Sequence, residues 1–145
     1  MDLRSQWRLF RAAISQVRAE LSQPDGQRSD WLGWSSNQLS HAFIGSVLAG
    51  AAILCGAAPW AAAGITATLY AVLKEVPDWL RSPGWATARD SVQDALFVTG
   101  GSVLTVGISE QSIRVFAVAL IALLAGLSLG VFQRAVVREQ TRKDQ

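Results

Sequence analysis

The chain has 145 residues, half of them hydrophobic and 17% charged, with 13 basic and 11 acidic residues and a formal net charge of +2. That balance excludes wholesale disorder, which needs low hydrophobicity and high charge. The single Cys55 excludes an intrachain disulfide framework and any Cys-based zinc finger. The small net charge, spread over two ends and one loop, gives no basic stripe for a nucleic acid backbone, so no nucleic-acid partner is expected.

In chain order, the first predicted element is a basic amphipathic helix within residues 1–36. Leu3, Trp7, Phe10, Ile14, Val17 and Leu21 step by three or four residues and share one stripe, flanked by Arg4, Arg8, Arg11 and Arg18. Such a helix suits the headgroup layer of a bilayer with anionic lipids, although its spacing also permits a short coiled coil or a flap over a bundle mouth. The first 35 residues contain no apolar stretch long enough for a cleavable signal peptide, so none is expected.

Residues 42–73 carry no charge. As one helix they would extend roughly 48 Å, against a hydrocarbon core of about 30 Å. Pro59 sits near the middle after Gly56-Ala57-Ala58, so the run reads as a hairpin of two spans, residues 38–57 and 60–77. A third span is expected over residues 91–108, opened by a capping box between Ser91 and Asp94. A fourth, over residues 113–132, is the most apolar. Between Val115 and Gln133 only Ser128 and Gln133 are polar, whereas a helix in a soluble bundle is polar over much of its circumference. The expected fold is therefore an all-α membrane bundle of four spans over residues 37–133, with a basic tail over residues 134–145.

Basic residues set the expected orientation. Arg4, Arg8, Arg11, Arg18 and Arg28 precede the spans, Arg81 and Arg89 lie between the second and third, and Arg134, Arg138, Arg142 and Lys143 follow the fourth. Both termini are expected in the cytoplasm. Trp31, Trp34, Trp60, Trp79 and Trp85 are expected interface anchors. Gly126 and Gly130 form a G-x-x-x-G in the last span, and Gly45 with Ala49 repeats the small-residue spacing. These suit close helix packing within the chain or a homo-oligomer seam. Cys55 is expected to be a small buried apolar residue.

This topology brings six ionisable residues to one depth: His41, Lys74, Glu75, Asp78, Asp90 and Asp94. Ionisable groups near hydrocarbon are expensive and mark functional sites or structural pairs. Three roles remain open for them. They can pin helix ends together; His41, Glu75 and Asp94 can ligate a divalent metal ion; or His41 can exchange a proton in acid–base chemistry. No G-x-S-x-G elbow and no second histidine accompany them.

The order Asn37-Gln38-Leu39-Ser40-His41, then Lys74-Glu75-Val76-Pro77-Asp78, then Ser91-Val92-Gln93-Asp94 with Gly100-Gly101 resembles the VanZ-like and YfiM-like small bacterial membrane proteins over residues 37–104. Asn37 and Gln38 stand where that pattern has Asp and Lys. The resemblance implies a bacterial or phage-encoded inner-membrane protein connected with the cell envelope, and singles out His41, Lys74, Glu75, Asp78 and Asp94. The expected role is non-enzymatic, with a cluster that organises the bundle or binds an ion or lipid headgroup. Rival expectations are a holin-like pore former or lysis-associated protein, and a metal-assisted hydrolase or transferase on a lipid-linked substrate.

Overall fold

The computed structural model describes residues 30–143 together with residues 7, 11 and 15. Within them the regular structure is helical. The amphipathic helix expected within residues 1–36 falls almost wholly outside the described residues; Trp7, Arg11 and Ser15 are helical and exposed.

Helix α1 (Trp31–Leu54) starts at Asp30, whose carboxylate accepts the Gly33 N–H at 2.9 Å and satisfies one opening donor. It ends at Cys55, and Gly56 then takes a φ of 95°, a conformation that only a residue without Cβ adopts freely. Pro59 follows in the first turn of α2 (Pro59–Tyr70), where its missing N–H costs nothing. A π-helical turn (Ala71–Glu75) carries α2 directly into α3 (Val76–Arg81). Helix α4 (Trp85–Ser109) and helix α5 (Ile113–Lys143) complete the bundle. Trp60 Nε1 donates to Glu110 at 3.2 Å, joining the α1–α2 and α4–α5 turns at one end; the α3–α4 loop lies at the other.

Among the described residues, three helices are long and apolar enough to cross a membrane, over Trp31–Leu54, Thr87–Ser109 and Ile113–Gln140. The remaining expected span differs. Its regular α part has 12 residues, about 18 Å at 1.5 Å per residue, before the π turn and its charged side chains begin.

Polarity in the bundle is inverted relative to a water-soluble one. Gln38, His41, Thr66, Glu75, Asp94 and Ser102 are buried, whereas Phe43, Leu73, Leu96, Val118, Ile121 and Phe132 are exposed. The buried face of α1 is Trp34, Gln38, His41, Gly45 and Ala49, a helical stripe carrying the polar residues inward. Water would not tolerate this arrangement; lipid favours it.

Helix α4 is central, packing against α1, α2 and α5. Its seam with α1 brings backbones together: a Cβ at Gly45 would overlap the Val98 carbonyl, and one at Gly101 the Ala42 carbonyl. Hydroxyls cross the same seam. Ser46 donates to Gly101 O at 2.8 Å, Ser102 to Gly45 O at 3.1 Å and Thr105 to Ser46 O at 3.2 Å. Where the hydrophobic effect between helices is absent, such close packing and hydrogen bonding carry the association.

Several expectations are corrected. Helix α4 begins at Trp85, six residues before Ser91, so Ser91 and Asp94 lie inside it and form no capping box; Gly84 precedes it without a side-chain cap. The basic tail continues α5 as far as Lys143. Cys55 is exposed where the chain leaves α1. Trp34 is buried, unlike Trp31, Trp60, Trp79 and Trp85, because Gly126 and Gly130 leave room for aromatic rings. Its indole lies against Gly130 and meets Phe97 edge to face at 6.2 Å, while the Phe97 ring reaches Gly126. The G-x-x-x-G of α5 is thus filled from within the chain.

Gly101→Val is expected to lower the thermal midpoint in detergent, at a cost of about 1–3 kcal/mol for forcing the α1–α4 seam apart. Gly64→Ala, with nothing within 4 Å of the new Cβ, should leave the midpoint unchanged. Equal midpoints for both variants would show that the seam does not govern stability.

Candidate functional site: a buried His–Asp–Lys–Glu cluster

The cluster forms where α1, α4 and the π turn meet. On α1, Gln38 and His41 are three residues apart on the buried face, so both project toward α4. On α4, Asp94 is 4% exposed and lies opposite them. Gln38 Nε2 donates to Asp94 Oδ1 at 2.8 Å, and His41 Nε2 lies 3.1 Å from Asp94 Oδ2. The imidazole N–H is not aimed along that second line, making it a close charge contact rather than an in-line hydrogen bond.

The third side comes from the π turn, and Pro77 accounts for its position. Proline supplies no N–H to the preceding turn and clashes with the carbonyl four residues back. The helix widens just before it, with the Val76 N–H bonding to Ala71 O, five residues back. In an α-helix residues five apart are about 140° apart around the axis. A π turn brings them nearly into line, so Tyr70, Lys74 and Glu75 share one face. Lys74 Nζ donates to Glu75 Oε1 at 2.9 Å and to Asp94 Oδ2 at 3.3 Å, and stands 3.5 Å from Asp78 Oδ2. It also lies 5.5 Å from the centre of the Tyr70 ring. The Tyr70 hydroxyl is 2.9 Å from His41 Nδ1. With His41 neutral and its proton on Nε2, the hydroxyl donates to Nδ1; with His41 protonated, Nδ1 donates to the hydroxyl.

A gradient of exposure runs through the cluster. The side chains of His41 and Asp94 are 2% and 5% exposed, Lys74 is 31% exposed and Asp78 39%. Asp78 also pairs outward with Arg81 at 3.3 Å. One end of the network therefore meets the surface and the other is sealed. Both Asp94 oxygens are occupied by donors from two other elements, which is what a carboxylate taken out of water requires.

Of the six sequence-predicted residues, His41, Lys74, Glu75, Asp78 and Asp94 come together. Asp90 is half-buried one helical turn before Asp94. In this structure an ammonium stands among the residues of the metal expectation, His41, Glu75 and Asp94. Lys74 Nζ takes the place between the Glu75, Asp78 and Asp94 carboxylates that a cation would need. Among the described residues no group of three or more His, Cys, Asp or Glu side chains is arranged to hold a metal ion. Sequence reasoning missed Gln38 and Tyr70 as members. Both were signalled by helical spacing, Gln38 three residues before His41 and Tyr70 four before Lys74. The π turn that completes the face has no such signal beyond Pro77. No family model, curated protein or solved structure matches the chain.

Removing one partner should leave an uncompensated charge. Lys74→Met is expected to destabilise the bundle by about 3 kcal/mol, the low end for a buried pair because Lys74 reaches the surface. In a thermal double-mutant cycle in detergent, Lys74→Met with Asp94→Asn should cost at least about 1 kcal/mol less than the sum of the singles. Additive costs would mean that the two groups do not support each other. Tyr70→Phe leaves His41 Nδ1 without its partner and should cost about 1–3 kcal/mol by the same measurement.

Proposed function

We propose that the protein is a non-enzymatic component of a bacterial inner membrane, connected with the cell envelope. In this reading four helical arms sit in the membrane with both termini cytoplasmic, and the amphipathic N-terminal segment rests on anionic headgroups. The buried cluster is an internal clasp. It fixes α1, α4 and the π turn to one another and offers only its Lys74–Asp78–Arg81 edge to the headgroup layer.

The observation that carries this reading is the double occupation of Asp94: a buried carboxylate whose two oxygens accept from Gln38 and Lys74, with His41 in close contact, is built to hold helices. A hydrolase or transferase on a lipid-linked substrate would need a reacting edge on His41, but that ring is 1% exposed between Tyr70 and Asp94. A holin-like pore former would need small-residue seams for assembly. Those of α1 and α5 receive α4 backbone, Phe97 and Trp34 of the same chain. The distribution of arginines supports the orientation, and the order of the His41, Lys74-Glu75 and Asp94 elements supports the VanZ-like kinship.

The native thiol gives a direct test of topology. Cys55 is exposed at the end of α1 and should react with a membrane-impermeant maleimide applied to spheroplasts. Ser82→Cys in a Cys55→Ala background, in the α3–α4 loop, should react only after permeabilisation. The opposite pattern would invert the proposed orientation, and labelling of both from one side would remove the second arm as a span.

A further inference from the structure

On a different face from the cluster, the bundle carries a groove. Helices α1 and α5 touch where Trp34 lies against Gly130, and further from that contact they enclose a groove of about 220 Å³. Its walls are Leu39 and Phe43 of α1 and Leu120, Leu124 and Leu127 of α5, and its floor includes Phe97 of α4. Leu39, Phe43 and Leu124 are more than half exposed, so the groove opens onto the surface that lipid would cover.

A cation stands at the closed end. The Arg134 guanidinium stacks 4.2 Å over the Trp34 ring and reaches Gly130 O at 3.5 Å, which holds the planar fork at the α1–α5 junction. Arg138 follows one turn later and is exposed. Arg134 is seven residues beyond Leu127 and fourteen beyond Leu120, distances of about 10 Å and 21 Å along a helix. Headgroup phosphate and acyl chain in one leaflet are separated on that scale, since half the hydrocarbon core is about 15 Å. An arginine fork matches phosphate geometry, and a groove lined by leucine and phenylalanine side chains suits an acyl chain.

We infer that the α1–α5 groove is a binding site for one anionic phospholipid, with an acyl chain between Leu39, Phe43 and Leu124 and the phosphate at Arg134. The inference rests on the helices lying in lipid, and is independent of the clasp. The stacked guanidinium selects the anionic headgroup, and the groove gives one chain an apolar wall. Binding there closes the gap between α1 and α5 that the protein leaves open.

The test is native mass spectrometry of the full chain, released from detergent micelles holding equimolar phosphatidylglycerol and phosphatidylcholine with identical chains. One phosphatidylglycerol should be retained per chain, at least fivefold over phosphatidylcholine. Arg134→Gln should abolish that preference and Arg134→Lys should keep most of it. Leu124→Trp, which fills the groove from an exposed position, should cut retention of both lipids at least fivefold with an unchanged thermal midpoint. Equal retention of both lipids by the native chain, an unchanged preference in Arg134→Gln, or full retention in Leu124→Trp would each overturn the site. A dimer that Leu124→Trp converts to monomer would give the groove to a second copy and overturn it as well. Loss of the clasp in Lys74→Met leaves lipid retention as a separate readout, so the two proposals fail independently.

Discussion

A carboxylate held away from water has to be answered by donors, and Asp94 imposes that constraint on the whole bundle. With 4% of its surface exposed, it receives Gln38 and His41 from α1 and Lys74 from the π turn. Desolvating a charge costs several kcal/mol even after relaxation, and the cost is offset only when geometry is good and every lone pair is engaged. The positions of α1, α4 and the π turn are therefore coupled: none can shift far without stranding Asp94 or the groups aimed at it. Lys74 completes the balance, since one ammonium faces Glu75, Asp78 and Asp94 together.

The α1–α4 seam makes that geometry reachable. Glycines at positions 45 and 101 let the two backbones approach until carbonyls sit where side chains would otherwise be. Ser46, Ser102 and Thr105 then spend their hydroxyls on the neighbouring helix. In lipid these contacts replace the burial of apolar surface that would hold a soluble bundle. Many of the large apolar side chains face outward instead, and between α1 and α5 they leave a groove closed at one end by the Trp34–Arg134 stack.

The helix break before Pro77 has a comparable role on the third side. A regular helix would leave Glu75 well round the axis from Tyr70. The wider turn aligns Tyr70, Lys74 and Glu75, and so joins a hydroxyl, an ammonium and a carboxylate to the His41–Asp94 pair. A proline that only ended a helix would end the cluster too; one that widens a turn extends it.

Much of the architecture was legible in the chain alone. Charge-free stretches and Pro59 mark helices, a turn between the first two, and a common end for five of the six ionisable candidates, because hydropathy and proline act locally. Helix ends were less legible: Trp85 and Trp31 begin α4 and α1 well before the apolar runs, since tertiary packing stabilises turns that composition does not favour. The burial of Trp34, the membership of Gln38 and Tyr70, and the use of Gly126 and Gly130 within the chain were decided by the tertiary structure. Each depends on which side chain lies opposite another helix across a gap of a few ångströms. Local periodicity places a residue on a face, but only the packing of a second helix against that face determines what it meets.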